Sequence, residues 1–195
     1  MTTTLVVHGH FYQPPREDPT TGTVLPEPSA APWHDWNSRI TAECYHPNTA
    51  AKVVDSENRV RALVDNFRLL SFNVGPTLLS WLDDASPETY ARIVAAGRAT
   101  RGAIAQGFNH VILPLCNERD RRTQVRWGLA DFRFRFGYDA AGMWLPETAV
   151  DDATLQVLAE EGVLSVCVMG GLLRHPVRCH PLGPSVVRAR PSSLL

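Results

Sequence analysis

The chain has 195 residues, 44% of them hydrophobic and 20% charged, with a formal net charge of −1. That suffices for one sizeable core and is short for two, and so even a charge balance gives no footprint for nucleic acid or an anionic membrane surface. Residues 1–4 enter Leu5-Val6-Val7 without a basic leader, and no run approaches the roughly 20 apolar residues of a transmembrane helix, so a cytoplasmic protein is expected.

Residues 3–7 are β-branched and apolar, a first strand that ends in His8-Gly9-His10-Phe11-Tyr12-Gln13-Pro14. His8 and His10 are two apart and share a face in extended chain. They read either as imidazoles lining a pocket, as partners for sugar hydroxyls or a metal, or as a strand end that satisfies its own backbone. Residues 16–47 form a long Pro-rich stretch that still carries Trp33-His34-Asp35-Trp36-Asn37, Arg39, Glu43 and Tyr45. Loops this long are functional or disordered, and paired tryptophans among hydrogen-bonding groups suit a sugar face or a packed covering loop.

Val60, Leu63, Val64 and Phe67 are spaced as on an amphipathic helix over 56–67, capped by Ser56. A second strand follows over 69–74, then a short helix over 77–82. Pro87 in a first turn opens a helix to about Arg98. A third short strand covers 103–106. Val125, Leu129, Phe132 and Phe136 mark a helix over 121–136 with Gly137 as its C-cap. A fourth strand covers 142–145, Asp151 caps a helix to about Glu161, and a fifth strand covers 164–168. Cys44, Cys116, Cys167 and Cys179 lack disulfide or zinc-ribbon spacing and read as reduced thiols.

Strands alternating with helices predict a parallel sheet. His8 and His10, Asn73, Asn109 and His110, and Glu147 each lie at or just after the C-terminal end of a different predicted strand, the edge where parallel α/β folds bind ligands, so these polar groups from four strands are expected to share one pocket. In Gly142-Met143-Trp144-Leu145-Pro146-Glu147, Pro146 stops the strand and leaves Glu147 beside Trp144, placed to act as a nucleophile or acid–base group, or simply as a helix-capping or solvated carboxylate.

These motifs resemble glycoside hydrolase family 57. The stretch from His8 to Pro14 is similar to its first signature, Ser71-Phe72-Asn73-Val74-Gly75 to its second-strand segment, and Asn109-His110 with Ile112-Leu113-Pro114-Leu115 to the region after strand three. Trp144-Leu145-Pro146-Glu147 resembles the element that bears the nucleophile. The segment from Trp33 to Tyr45 resembles a bacterial subgroup with an extra C-terminal domain. The resemblance implies a parallel (β/α)7-type barrel acting on α-glucan with retention of configuration, without cofactor or metal. It implies Glu147 as nucleophile and His10 and His110, with His8, Gln13 and Trp144, as substrate contacts; the aromatic reading of its own segment adds Trp36.

The family's acid–base Asp lies on a later strand, and no acidic residue follows Glu161 in this sequence. The stretch 170–195 is Arg- and Pro-rich without helical or strand periodicity, and Lys52 is the only lysine of the chain, a bias typical of GC-rich DNA. The expectation is therefore that residues 1–169 form the N-terminal part of the barrel, incomplete at about five strands. Residues 170–195 are expected to be an irregular or off-frame tail after a truncation or frameshift near Val168. An isolated chain of this kind is expected to turn over weakly or not at all. The competing readings are a metal-dependent deacetylase-like hydrolase held by His8, His10 and His110, and a non-catalytic carbohydrate-binding fragment.

Overall fold

The computed structural model describes residues 7–169 and 184–188. It divides into two units, Met1–Phe72 with Thr77–Ala103, and Asn73–Pro76 with Ile104–Leu195.

In the first unit, strand β1 (His8–Phe11) pairs with β4 (Ser71–Val74), whose first two residues belong to this unit. Of the strand expected over 3–7, residues 3–6 lie outside the described residues. His8 and His10 consequently stand within a strand and not beyond its end. The Ser71 N–H donates to the Val7 carbonyl at 3.1 Å, so strand pairing continues back through Val7.

The long Pro-rich stretch is not a loop throughout. Helix α1 (Trp36–Ile40) runs through a π-turn (Thr41–Tyr45) into α2 (His46–Asn48). Asp35 starts it, its carboxylate accepting from the Ser38 N–H at 2.9 Å, which satisfies one of the amides a helix start leaves open. These turns are each too short to show a helical period in the sequence, so the stretch reads as a loop.

The helix expected over 56–67 is a β-hairpin instead. Strand β2 (Ala51–Val54) pairs antiparallel with β3 (Val60–Val64), Lys52 opposite Leu63 and Val53 opposite Ala62. The Asp55 carboxylate accepts from the Glu57 and Arg59 N–H groups and from the Arg59 and Arg61 side chains, and Asn58 takes the left-handed turn conformation. Local turn chemistry and β-branched valines thus override a spacing that fits a helix. Val60 and Leu63, expected on a buried helix face, are 52% and 64% exposed.

Helices α3 (Pro76–Ala85) and α4 (Pro87–Thr100) follow, starting at prolines whose missing N–H costs nothing in a first turn. The buried side chains of this unit include Phe67, Phe72, Leu78, Leu79, Leu82 and Ile93. Phe67 touches Phe11 and Phe72 at ring-centre distances of 4.9 and 5.1 Å. Tyr45 is buried too, which pushes its phenol up to about 12 and keeps its O–H as a donor to the Tyr12 carbonyl.

The second unit is built on a four-stranded sheet in the order β5 (Ala105–Gln106), β6 (Gly142–Trp144), β7 (Ser165–Met169) and β8 (Pro184–Arg188). The first three strands are parallel, and α5 (Glu118–Phe136) and α6 (Asp152–Glu160) make the crossovers that parallel pairing demands. Strand β8 is antiparallel to β7. It falls in the stretch expected to be irregular. Two adjacent valines carry it, and Pro184 stands at its first residue, where a strand tolerates proline. The remainder of 170–195 lies outside the described residues. The parallel α/β class expected from the sequence is present in β5, β6 and β7, while the described strands as a whole fall into three sheets, one of them the antiparallel hairpin.

The elements around β5 and β6 are pinned by side chains without solvent access: Leu113, Val125, Met143 and Leu145. Among the described residues, no helix is long and apolar enough to cross a membrane.

Candidate functional site

Parallel neighbours in register end side by side, and that geometry builds the site. Gln106 pairs with Trp144 at the last position of β5 and β6, so the turns that follow both strands leave from one edge. Gly107 and Pro146 sit against each other there, a Cβ on Gly107 lying 3.6 Å from the Pro146 ring. Four residues after Gln106 the first turn delivers His110, and three residues after Trp144 the second delivers Glu147. His110 Nε2 lies 3.4 Å from Glu147 Oε1, at the long end of hydrogen-bond range.

Behind this pair stands a line of buried amides. Asn73 Nδ2 donates to Gln106 Oε1 at 2.5 Å, and Gln106 Nε2 lies 2.8 Å from His110 Nδ1. The His110 side chain is 6% exposed whereas Glu147 is 68% exposed. The imidazole is therefore a fixture of the interior, and the carboxylate it touches faces out.

The backbone is bent to achieve this. His110, Glu147 and Thr148 all have positive φ, between 53° and 56°. Left-handed conformation costs a residue with a Cβ about 1–2 kcal/mol. The other two such non-glycine residues among those described have ordinary reasons, Asn58 in the hairpin turn and Arg101 as the C-cap of α4. The three at this site are held by hydrogen bonds, including the Thr148 N–H to the Leu145 carbonyl at 2.8 Å. Strain concentrated where a buried imidazole meets an exposed carboxylate makes this the candidate site of the described residues.

Burial holds the His110 pKa below the ordinary imidazole range, opposed by the hydrogen bond and charge of Glu147. The ring is therefore neutral near pH 7. A depressed histidine binds fewer protons folded than unfolded, so its contribution to stability is present above about pH 6.5 and is lost as pH falls through the folded-state value. We expect an NMR titration of His110 to show a midpoint below 6.5, and lower still in Glu147→Gln, which removes the opposing pull. A midpoint at or above 6.5 contradicts the buried placement.

Other residues singled out from the sequence have other neighbours. Trp144 occupies β6, half-buried and opposite Cys167 as well as Gln106. Asn109 donates its N–H to Gln124 Oε1 at 2.8 Å. Four belong to the first unit. There the His8 ring bonds the Ser71 hydroxyl at 2.9 Å, and the exposed His10 stacks on Tyr12 at 6.3 Å. Gln13 donates to the Tyr45 hydroxyl and accepts from Arg16. Trp36 is half-buried, its indole N–H bonded to the Ser29 hydroxyl and its ring under the Arg39 guanidinium at 4.8 Å. Among the described residues, no three His, Cys, Asp or Glu side chains are grouped so as to hold a metal ion. Gln106, absent from the residues singled out above, is 2% exposed. Its signal in the sequence was an amide at the end of a short strand that follows apolar residues, where a buried polar side chain needs a partner.

The chain is 29% identical to alpha-amylase 1 of Dictyoglomus thermophilum over 92 residues, which are 47% of this chain and 13% of that protein. It is 29% identical to the 4-alpha-glucanotransferase of Thermococcus litoralis over 111 residues, 54% of this chain and 16% of that one. The chain thus spans a small part of the length of the curated relatives it matches. In fold it resembles an exo-type maltose-forming amylase from Pyrococcus sp. ST04, with a TM-score of 0.59 and 13% identity over 83% of this chain and 28% of that one. The sequence pattern of glycosyl hydrolase family 57 matches residues 29–186, which include α1, part of the Arg- and Pro-rich stretch, and both turns that meet at His110 and Glu147; the chain belongs to that family.

Proposed function

We propose that Glu147 is the nucleophile of a retaining, α-glucan-active enzyme, and that this chain contributes its nucleophile-bearing part within a (β/α)7-type barrel. The observation that carries the reading is the exposed Glu147 carboxylate set against the buried, neutral His110 at the C-terminal edge of parallel strands. Retention needs two carboxyl groups about 5–5.5 Å apart, one to attack the anomeric carbon and one to protonate the leaving oxygen. Glu147 fills the first role. The family relation and its α-glucan-active members support the substrate class. The resemblance of the sequence motifs supports His8, His10, Gln13, His110 and Trp144 as sugar contacts, and the aromatic character of its segment supports Trp36.

No acidic residue follows Glu161 in the sequence, so the acid–base group is assigned to none of the positions here. General acid catalysis contributes about 10²–10⁴-fold, and turnover of an ordinary maltooligosaccharide by this chain is expected to fall short by that factor. A substrate whose leaving group needs no proton separates the two roles. With α-glucosyl fluoride, a Glu147 carboxylate oxygen attacks C1, the C1–F bond breaks, and fluoride departs with its electron pair, leaving a glucosyl ester. We expect peptide mass spectrometry to find that ester on Glu147 and to lose it in Glu147→Gln. An ester on a different carboxylate, or fluoride release unchanged in the variant, overturns the assignment.

A further inference from the structure

We propose that Gln106 is a positioning residue for this pair: its amide donates to His110 Nδ1, which places the imidazole proton on Nε2, facing the Glu147 carboxylate. The catalytic consequence rests on the reading of Glu147 given above, but the geometry does not.

A side-chain amide has one acceptor end and one donor end. Asn73 Nδ2 occupies the acceptor end of Gln106, so the donor end faces His110. Gln106 and Asn73 are 2% and 0% exposed, so no bulk water stands ready to substitute for either bond. Turning the Gln106 amide over would set NH₂ against NH₂ at the Asn73 contact. It would also put the proton on Nδ1 and leave Nε2 as a bare acceptor against an ionised carboxylate. The opposite direction makes donors meet acceptors at every joint: Asn73 to Gln106, Gln106 to His110, His110 to Glu147. Strand register enforces it, since Gln106 is the β5 residue paired with Trp144, three positions before Glu147.

A neutral Nε2–H donor favours the ionised carboxylate and fixes its rotation without offering a mobile proton. An imidazolium in the same place would hold a proton that the carboxylate could take, quenching the nucleophile. Gln106 thus acts through His110, and Asn73 acts through Gln106.

Nitrogen-15 NMR of the imidazole reads the tautomer directly, with the His110 signals assigned by their loss in His110→Gln. In the unsubstituted chain at neutral pH we expect Nε2 to carry the proton and Nδ1 to be bare. Gln106→Glu keeps the shape but replaces the donor with an acceptor, and should bring a proton onto Nδ1. Gln106→Met removes the donor and should give a mixture of tautomers. A proton on Nδ1 in the unsubstituted chain, or an unchanged tautomer in a folded Gln106→Glu, overturns the proposal. The unsubstituted measurement decides even where a variant fails to fold. α-Glucosyl fluoride labelling of the same samples keeps the two readings apart. The expected tautomer without an ester on Glu147 retains the relay and rejects the nucleophile; an ester with the wrong tautomer does the reverse.

Discussion

Gly128→Ala should destabilise the second unit by about 3 kcal/mol and displace the His110 relay. Gly128 lies in α5 where that helix crosses β5, and a Cβ there would stand 2.0 Å from the Gln106 carbonyl oxygen and 3.1 Å from its carbon. Both are backbone atoms of a buried strand and cannot swing aside. Helix and strand would have to part by roughly an ångström, opening the dense packing around Val125 and Met143. Overpacking of this kind costs about 1–3 kcal/mol, and a backbone clash belongs at the upper end. Helix propensity alone argues the reverse, because alanine is favoured over glycine by up to about 1 kcal/mol in an unobstructed helix. The sign of the change in urea unfolding therefore decides between the two effects. A more stable variant means that α5 does not lie on β5 as described. Because the displaced atom belongs to Gln106, the His110 tautomer should become mixed in any Gly128→Ala molecules that remain folded.

Arg121→Met should cost about 3–4 kcal/mol, although it removes only a surface-type residue by composition. The Arg121 guanidinium is buried and donates to three carbonyls of the turn that follows His110: Leu113 at 3.0 Å, Pro114 at 3.4 Å and Cys116 at 3.0 Å. Asp151, the N-cap of α6, lies 3.8 Å away. Hydrogen bonds to a charged donor are worth about 1.5–3 kcal/mol each, and removing the donor strands acceptors in a buried turn. Met preserves the apolar stem but none of these bonds. Lys keeps the charge without the planar fork and should recover less than half of the loss. Arg126 is the internal control, since its side chain is 62% exposed and pairs with Glu161. Arg126→Met should cost below about 1 kcal/mol. Equal losses for the two variants in chemical denaturation would mean that the carbonyl clamp contributes nothing.

The helices were legible wherever one signal dominated. Asp151 and Gly137 act as the caps the sequence suggested, with Asp151 accepting from the Thr154 N–H at 2.7 Å and Gly137 taking a left-handed conformation. Ser86, the residue before α4, makes no side-chain cap bond; its hydroxyl donates to Thr89 Oγ1 instead. The segment 56–67 failed because Val60, Leu63, Val64 and Phe67 fit a helical period as well as a strand followed by a turn. The Asp55 turn, which a spacing argument does not see, resolved the ambiguity. In α1 the reverse occurred: a helix of one turn plus a π-turn is too short for periodicity to register.

For the site, the sequence alone determined the chemistry on offer. Pro146 leaves a carboxylate just past β6, because a proline cannot continue a ladder, and an imidazole follows β5. It could bring these groups to one edge but not say which of them touch. Strand register decided that, pairing Gln106 with Trp144 so that the two following turns converge. Tertiary packing also joined Gln106, which the sequence did not single out, to Asn73, which it did, in a relay, since donors and acceptors withdrawn from water must satisfy one another, and only the fold determines which partners are within reach.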